Sequence, residues 1–212
     1  MNSIEALRKE YILQTLNEDD VNKDPILQFN VWWDQAINSG IIEANAMTLA
    51  TADKNGKPSA RIVLLKGVEK NGFIFYSNYN SRKGMELEQN PYASLVFFWK
   101  ELERQVRIEG AVTRTSVAES DAYYSTRPFI SKLGAWASPQ SMVIPSRDLL
   151  ENYMAVLEKK YPDNNVPRPL HWGGYVVKPQ LIEFWQGRPG RLHDRIRYTG
   201  NGPGWNIERL AP

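Results

Sequence analysis

Met47–Ser77 reads MTLATADKNGKPSARIVLLKGVEKNGFIFYS, and its apolar runs broken by glycine-bearing turns decide the fold class. Three strands are predicted in it: Met47 to Ala52, Ser59 to Lys66 and Phe73 to Ser77. Hairpin-type turns join them at Lys54-Asn-Gly-Lys57 and Lys70-Asn-Gly72. Further on, Ala93 to Trp99, Glu103 to Thr113, Gly174 to Val177, Leu181 to Gln186, Arg191 to Tyr198 and Trp205 to Leu210 continue the β pattern. Many strands joined by short turns imply an antiparallel β-barrel, so the fold class is α+β and mainly β, with peripheral helices.

Helical signals lie outside these runs. Ser3 can cap a first helix through Ile4, Leu7, Tyr11 and Ile12, and the polar stretch Asn17 to Asp24 reads as a loop. Asp24-Pro25 opens a second helix with Ile26, Phe29, Trp33, Ala36 and Ile37 on one face and Gly40 as its stop. Ser81 to Gln89 is a short helix. Ser116-Val-Ala-Glu119 has capping-box spacing and starts another, which Arg127-Pro128 must interrupt or end. Asp148 to Lys160 is amphipathic. No linker or repeat divides the 212 residues, so 1–212 reads as one domain.

Composition narrows the function. The 26 Lys and Arg nearly balance 24 Asp and Glu, which argues against a nucleic-acid partner. There is no cysteine, so disulfides, thiolate metal sites and cysteine nucleophiles are excluded. With only His171 and His193, a multi-histidine metal centre is not expected either. No secretory signal and no membrane-length apolar run is visible, so the expected location is the cytoplasm, away from membranes.

Five segments carry candidate chemistry. In Arg61-Ile-Val-Leu-Leu-Lys66 two cations bracket four aliphatics; strand alternation puts Arg61 and Lys66 on opposite sides unless a bulge intervenes. In Tyr76-Ser-Asn-Tyr-Asn-Ser-Arg-Lys-Gly84 a helix start carries Arg82 and Lys83, which is either an anion site or a solvated cap. Gln105 in Glu103-Arg-Gln-Val-Arg107 could pair with a planar heterocycle or simply face solvent. Tyr123 and Arg127 share a helix face at a spacing of four, which with Ser131 suggests a second phosphate site. If Arg191 to Arg195 is a strand, Arg191, His193 and Arg195 project together, and two guanidiniums would depress the imidazole's proton affinity.

Taken together, RIVLLK, FYSN…SRKG, ERQVR, YYSTRP, GAWASPQS, IEFWQG, RLHDR and the terminal W-x-I-x-R-L-A-P resemble the pyridoxamine 5′-phosphate oxidase family, in its order, from about Arg8 to Pro212. The resemblance implies an FMN-binding split β-barrel acting as a homodimer, with FMN at the subunit interface. It implies that Arg61, Arg82 and Lys83 hold the FMN phosphate. Ile62, Val63, Leu64, Leu65, Lys66, Tyr76, Ser77, Gln105, Gln140, Ser141, Trp185 and Arg195 would surround the rest of the flavin. The substrate phosphate would fall to Lys66, Tyr123, Arg127 and Ser131, with Arg191 and His193 as catalytic residues beside the pyridine ring. Arg8 and Tyr11 would belong to a lid within residues 1–20. Small departures occur: Ser77 stands where threonine is also common, and Phe129-Ile130 replaces a more polar pair.

The implied reaction converts pyridoxamine or pyridoxine 5′-phosphate to pyridoxal 5′-phosphate. C4′ loses a hydride to the flavin, dioxygen takes the electrons to give hydrogen peroxide, and the amine substrate passes through an imine that releases ammonia. Two other readings fit the same barrel. A related flavin oxidase acting on another ring would lack the second phosphate set, and a non-catalytic flavin- or haem-binding module would not need Tyr123 and Arg127.

Overall fold

The sheet path explains why this chain closes on itself. A computed structural model describes residues 10–69 and 72–212. Its strands are β1 (Ala46–Ala52), β2 (Pro58–Leu64), β3 (Gly67–Glu69), β4 (Gly72–Asn78), β5 (Tyr92–Trp99), β6 (Arg104–Arg114), β7 (Trp172–Gln186), β8 (Asp194–Asn201) and β9 (Gly204–Arg209). All pairings are antiparallel, along the path β2-β1-β5-β6-β7-β4-β3, with β8 and β9 attached to β7. The two ends of that path, β2 and β3, are consecutive in sequence and joined only by Leu65 and Lys66. Leu65 N–H donates to Asn45 O on the β1 side, and Lys66 N–H donates to Ile74 O on the β4 side. A two-residue link cannot span a flat seven-strand sheet, so the sheet curls until its edges meet at Lys66.

β7 makes the split. Its first half pairs with β4 and its second half with β8, while β6 runs along the other side throughout. The register slips at Glu109/Gly110, opposite Pro179. Proline has no N–H to give a ladder, and it falls where β7 changes partner. One strand therefore stands where Gly174 to Val177 and Leu181 to Gln186 are expected as two, because the Lys178-Pro-Gln180 junction breaks the local pattern but not the strand.

Alternation buries Met47, Leu49, Leu95, Phe97, Val106, Ile108 and Phe184 on the inner face. Helix α1 (Pro25–Asn38), capped by Asp24 accepting from Ile26 N–H, packs on that face. Its buried residues are Pro25, Gln28, Phe29, Trp32 and Ala36. The expected face is therefore turned toward Trp32, with Trp33 at its margin and Ile37 half exposed. The cause is the pairing of Trp32 with Phe184 (5.1 Å, edge-on) and of Phe29 with Phe73 (4.9 Å). Burying Phe29 alone contributes on the order of 2–3 kcal/mol.

The other helices are α2 (Arg82–Gln89), α3 (Val117–Ser125), α4 (Phe129–Ala137) and α5 (Asp148–Lys160). The Ser116–Glu119 capping box forms as expected. Of the two outcomes open at Arg127-Pro128, interruption is the one found: α3 stops before the pair and α4 starts immediately after it. Any helix over Ser3 to Leu7 lies outside the described residues, as does the tip of the Lys70-Asn-Gly72 turn. Tyr11 and Ile12 are not helical.

Candidate active site

The seam at Lys66 opens into a cavity of 320 Å³ lined by Arg61, Ile62, Val63, Leu64, Lys66, Tyr76, Ser77, Lys83, Tyr123, Arg127, Gln140 and Trp172. Four of these are cations and none is a carboxylate. Arg61 and Lys66 reach one cavity although alternation separates them, because β2 ends at Leu64 and the link breaks the period. Tyr123 and Arg127 also share it, but not through a common helix face. Arg127 lies beyond the end of α3, since Pro128 disfavours helical backbone before it. The two expected phosphate cradles thus open onto one space.

Aromatic rings form its wall. Tyr76 stacks on Tyr123 (3.9 Å, 15°) and on Trp172 (5.5 Å, 12°). The Arg127 guanidinium lies 4.5 Å from the Trp172 ring centre. Its Nη1 is buried without a hydrogen-bond partner, a costly state that an anion would relieve. Trp172 escaped the sequence reading. The available signal was Gly173-Gly174: a Cβ at Gly173 would come 2.0 Å from Tyr79 Oη, and one at Gly174 2.8 Å from the Tyr76 ring.

The start of α2 supplies the other cations. Ser81 caps it by accepting from Gly84 N–H, and a Cβ at Gly84 would sit 2.1 Å from Tyr79 O. Lys83 is buried and donates to Gln140 Oε1 (2.8 Å), which Ser77 Oγ also meets at 3.3 Å. Burial, and then the charge of Arg61, pull the Lys83 ammonium below the usual lysine range. Arg82 is exposed but held by Glu86 Oε1 at 2.9 Å. Glu86 itself is buried. Desolvation would raise its pKa, yet hydrogen bonds from Ser59, Thr51, Arg82 and Arg61 outweigh it and hold the carboxyl at about 2. That stabilisation is complete above the ordinary carboxylate range and is lost only as pH falls through about 2.

A second cluster stands at the far end of β7. Gln105, Trp185 and Arg195 are cross-strand neighbours on β6, β7 and β8. Tyr11 packs edge-on to Trp185 (5.8 Å, 89°) over Gly187, where a Cβ would strike its ring at 2.6 Å. Glu103 Oε2 accepts from Ile12 N–H (2.9 Å) and Leu13 N–H (3.1 Å), which straps this segment down. His193 lies 4.6 Å from Trp185 and 6.0 Å from Tyr11, between ring centres.

The expected strand face of Arg191, His193 and Arg195 does not exist. β8 begins at Asp194, and Arg191 ends a 3-10 turn at φ 62°, after Pro189-Gly190. Arg195 turns instead to the buried Glu183 (Nε to Oε1, 2.8 Å) and to Ala211 O (2.8 Å). His193 has a proton affinity below the ordinary histidine value, first through burial and then through Arg191, not through Arg195. Its Nδ1 accepts Arg188 N–H at 3.1 Å, so the neutral ring carries its proton on Nε2. In acid the unfolded chain takes up this proton before the folded one, so stability drops as pH falls through the ordinary histidine range.

The imidazole titration of His193 by NMR, with His171 alongside it, should therefore show a midpoint below the ordinary value. Arg191→Gln should raise that midpoint part of the way and Arg195→Gln should leave it in place. The reverse ranking would show that the surroundings of His193 have been misread.

Of the remaining expected residues, Leu65 is buried in the core, Ser131 lies in the first turn of α4, and Ser141 is exposed at φ 73°. These three and Arg82 do not line the cavity. Arg8 is outside the described residues. Trp172 and Trp185 mark the two clusters on one strand, and thirteen residues at about 3.3 Å each make a contour of roughly 40 Å between them. Within one chain the clusters are separate places.

Comparison with known proteins bears on the family and the fold. Residues 33–158 match the family described as "Pyridoxamine 5′-phosphate oxidase", and residues 172–212 match the "Pyridoxine 5′-phosphate oxidase C-terminal dimerisation region". Proteins named pyridoxine/pyridoxamine 5′-phosphate oxidase include one from Cyanothece sp., 58% identical over 99% of both chains. Another, from Paraburkholderia phymatum, is 57% identical over 100% of both. Among solved structures, PhzG from Burkholderia lata, in complex with tetrahydrophenazine-1-carboxylic acid, superposes with a TM-score of 0.89 at 31% identity, covering 94% of this chain and 99% of that one. A pyridoxamine 5′-phosphate oxidase-related, FMN binding protein from Nostoc punctiforme shares the fold with a TM-score of 0.72 at 19% identity, covering 91% and 100%. The sheet is the expected split barrel, and the chain belongs to the pyridoxamine 5′-phosphate oxidase family.

Proposed function

We propose that this chain binds FMN and oxidises pyridoxamine and pyridoxine 5′-phosphates to pyridoxal 5′-phosphate, with dioxygen as electron acceptor. The products would be hydrogen peroxide and, from the amine, ammonia. The observation that carries this is the single cavity with four cations and a stacked aromatic wall, which suits two phosphorylated planar rings. Its Lys83 and Arg127 are partly stripped of water, and an unpartnered guanidinium nitrogen faces burial without an anion. Such a donor set fits an FMN phosphate at Arg61 and Lys83, with Arg82 reaching it from outside the cavity at the start of α2, and a substrate phosphate at Lys66, Tyr123 and Arg127.

The flavin, when bound, supplies the two-electron chemistry. The protein's part is placement. Two anchored phosphates fix the relation of the rings, which can remove several kcal/mol (on the order of 5) from the barrier. Arg191 and His193 follow the end of β7 remote from this cavity, so the working unit is a homodimer in which the partner chain brings them, with Tyr11 closing over Trp185. In the tautomer set by Arg188 N–H, His193 Nε2–H is a donor able to hold the oxygen or nitrogen on C4′.

The test is anaerobic addition of pyridoxamine 5′-phosphate to the yellow holoprotein. The flavin absorbance should bleach and return on admitting air. Yellow colour that persists with both B6 phosphates, yet bleaches with a reduced phenazine carboxylate, would give the chain the other oxidase chemistry. Colour unchanged by either would leave a binding module.

A further inference from the structure

We propose that Glu86 is a positioning residue that sets this chain's preference for phosphorylated over unphosphorylated flavin without touching the ligand. The inference rests on the reading in which Arg61, Arg82 and Lys83 grip the FMN phosphate. Glu86 sits on α2, one turn below Arg82, with its carboxylate buried behind the cavity wall. Its Oε1 takes Arg82 Nε at 2.9 Å, and its Oε2 takes Arg61 Nη2 at 3.3 Å. Ser59 Oγ donates to Oε2 at 2.6 Å, and Thr51 Oγ1 donates to the same oxygen.

These partners come from three elements. Thr51 and Ser59 face each other across β1 and β2, and Arg82 and Glu86 ride on α2. The Arg61 guanidinium is also bound by both hydroxyl oxygens, so it has one orientation fixed from three sides. Two arginines near a buried lysine would otherwise repel one another and swing toward water. One internal carboxylate joins the β1–β2 hairpin to the helix start and aims both guanidiniums before any phosphate arrives.

What the loss of Glu86 disturbs is the aim of Arg61 and Arg82 at the phosphate alone, so the effect separates by ligand. Apoprotein is titrated with FMN and with riboflavin, following the quenching of flavin fluorescence. Wild type should bind FMN far more tightly than riboflavin. Glu86→Gln keeps the size of the side chain and should weaken FMN roughly ten- to a hundredfold while leaving riboflavin within about twofold. Glu86→Asp should recover part of the loss. Should Glu86→Gln not fold, Ser59→Ala, which removes one donor from the same oxygen, should give a smaller loss of the same selectivity.

Equal weakening of both flavins, or FMN affinity as in wild type, would overturn the role given to Glu86. A wild-type protein that binds riboflavin as tightly as FMN would instead overturn the phosphate cradle itself.

Discussion

Chains carrying Arg127→Ala and chains carrying His193→Ala should each lose at least about a hundredfold in turnover, since each lacks a positioned polar group. Co-expressed with different tags and isolated as a heterodimer, they should recover about half the wild-type rate. In the mixed dimer one site collects both defects and the other collects none. The two residues belong to clusters at opposite ends of β7, so a site made within one chain could never be repaired by mixing. A purified heterodimer as inactive as its parents would rule out the shared site.

Gly84→Ala has the next largest expected effect, and two opposing forces decide its sign. Alanine normally favours a helix over glycine by about 1 kcal/mol. Here the new methyl would lie 2.1 Å from Tyr79 O and 2.6 Å from Tyr79 C, which are backbone atoms with no rotamer to retreat to. Moving that loop should cost about 1–3 kcal/mol beyond the propensity gain. Arg82 and Lys83 occupy the same turn, so a lower melting temperature should come with weaker retention of FMN. A variant that melts like wild type and stays yellow through gel filtration would show that the loop yields.

Much of the barrel was legible because strand alternation and asparagine–glycine turns are local signals. Asp24 and Ser116 cap the helices the sequence assigned to them, and Ser81, expected as the first residue of its helix, is the cap just before it. The misses share a cause: they depend on what lies across the sheet. Trp32 rather than Trp33 faces inward because Phe184 waits there, 152 positions further along the chain (184 − 32). Arg195 pairs with Glu183 across β7 and β8, so its local pattern with His193 misled. The cations of the cavity were readable as residue types. That Lys66 reaches them depends on the sheet edges meeting at that residue, which no local pattern contains. Trp172 and the carboxylate of Glu86 act through neighbours supplied by the fold, so neither stood out.

β7 has one further consequence. It carries Trp172 at one end and Trp185 at the other, like a rod with a different tool fixed to each tip. An isolated chain would own every group the chemistry needs and still possess no finished workshop. In the shared-site arrangement, turnover per milligram should therefore fall on extreme dilution while circular dichroism stays constant, a loss of partnership rather than of shape.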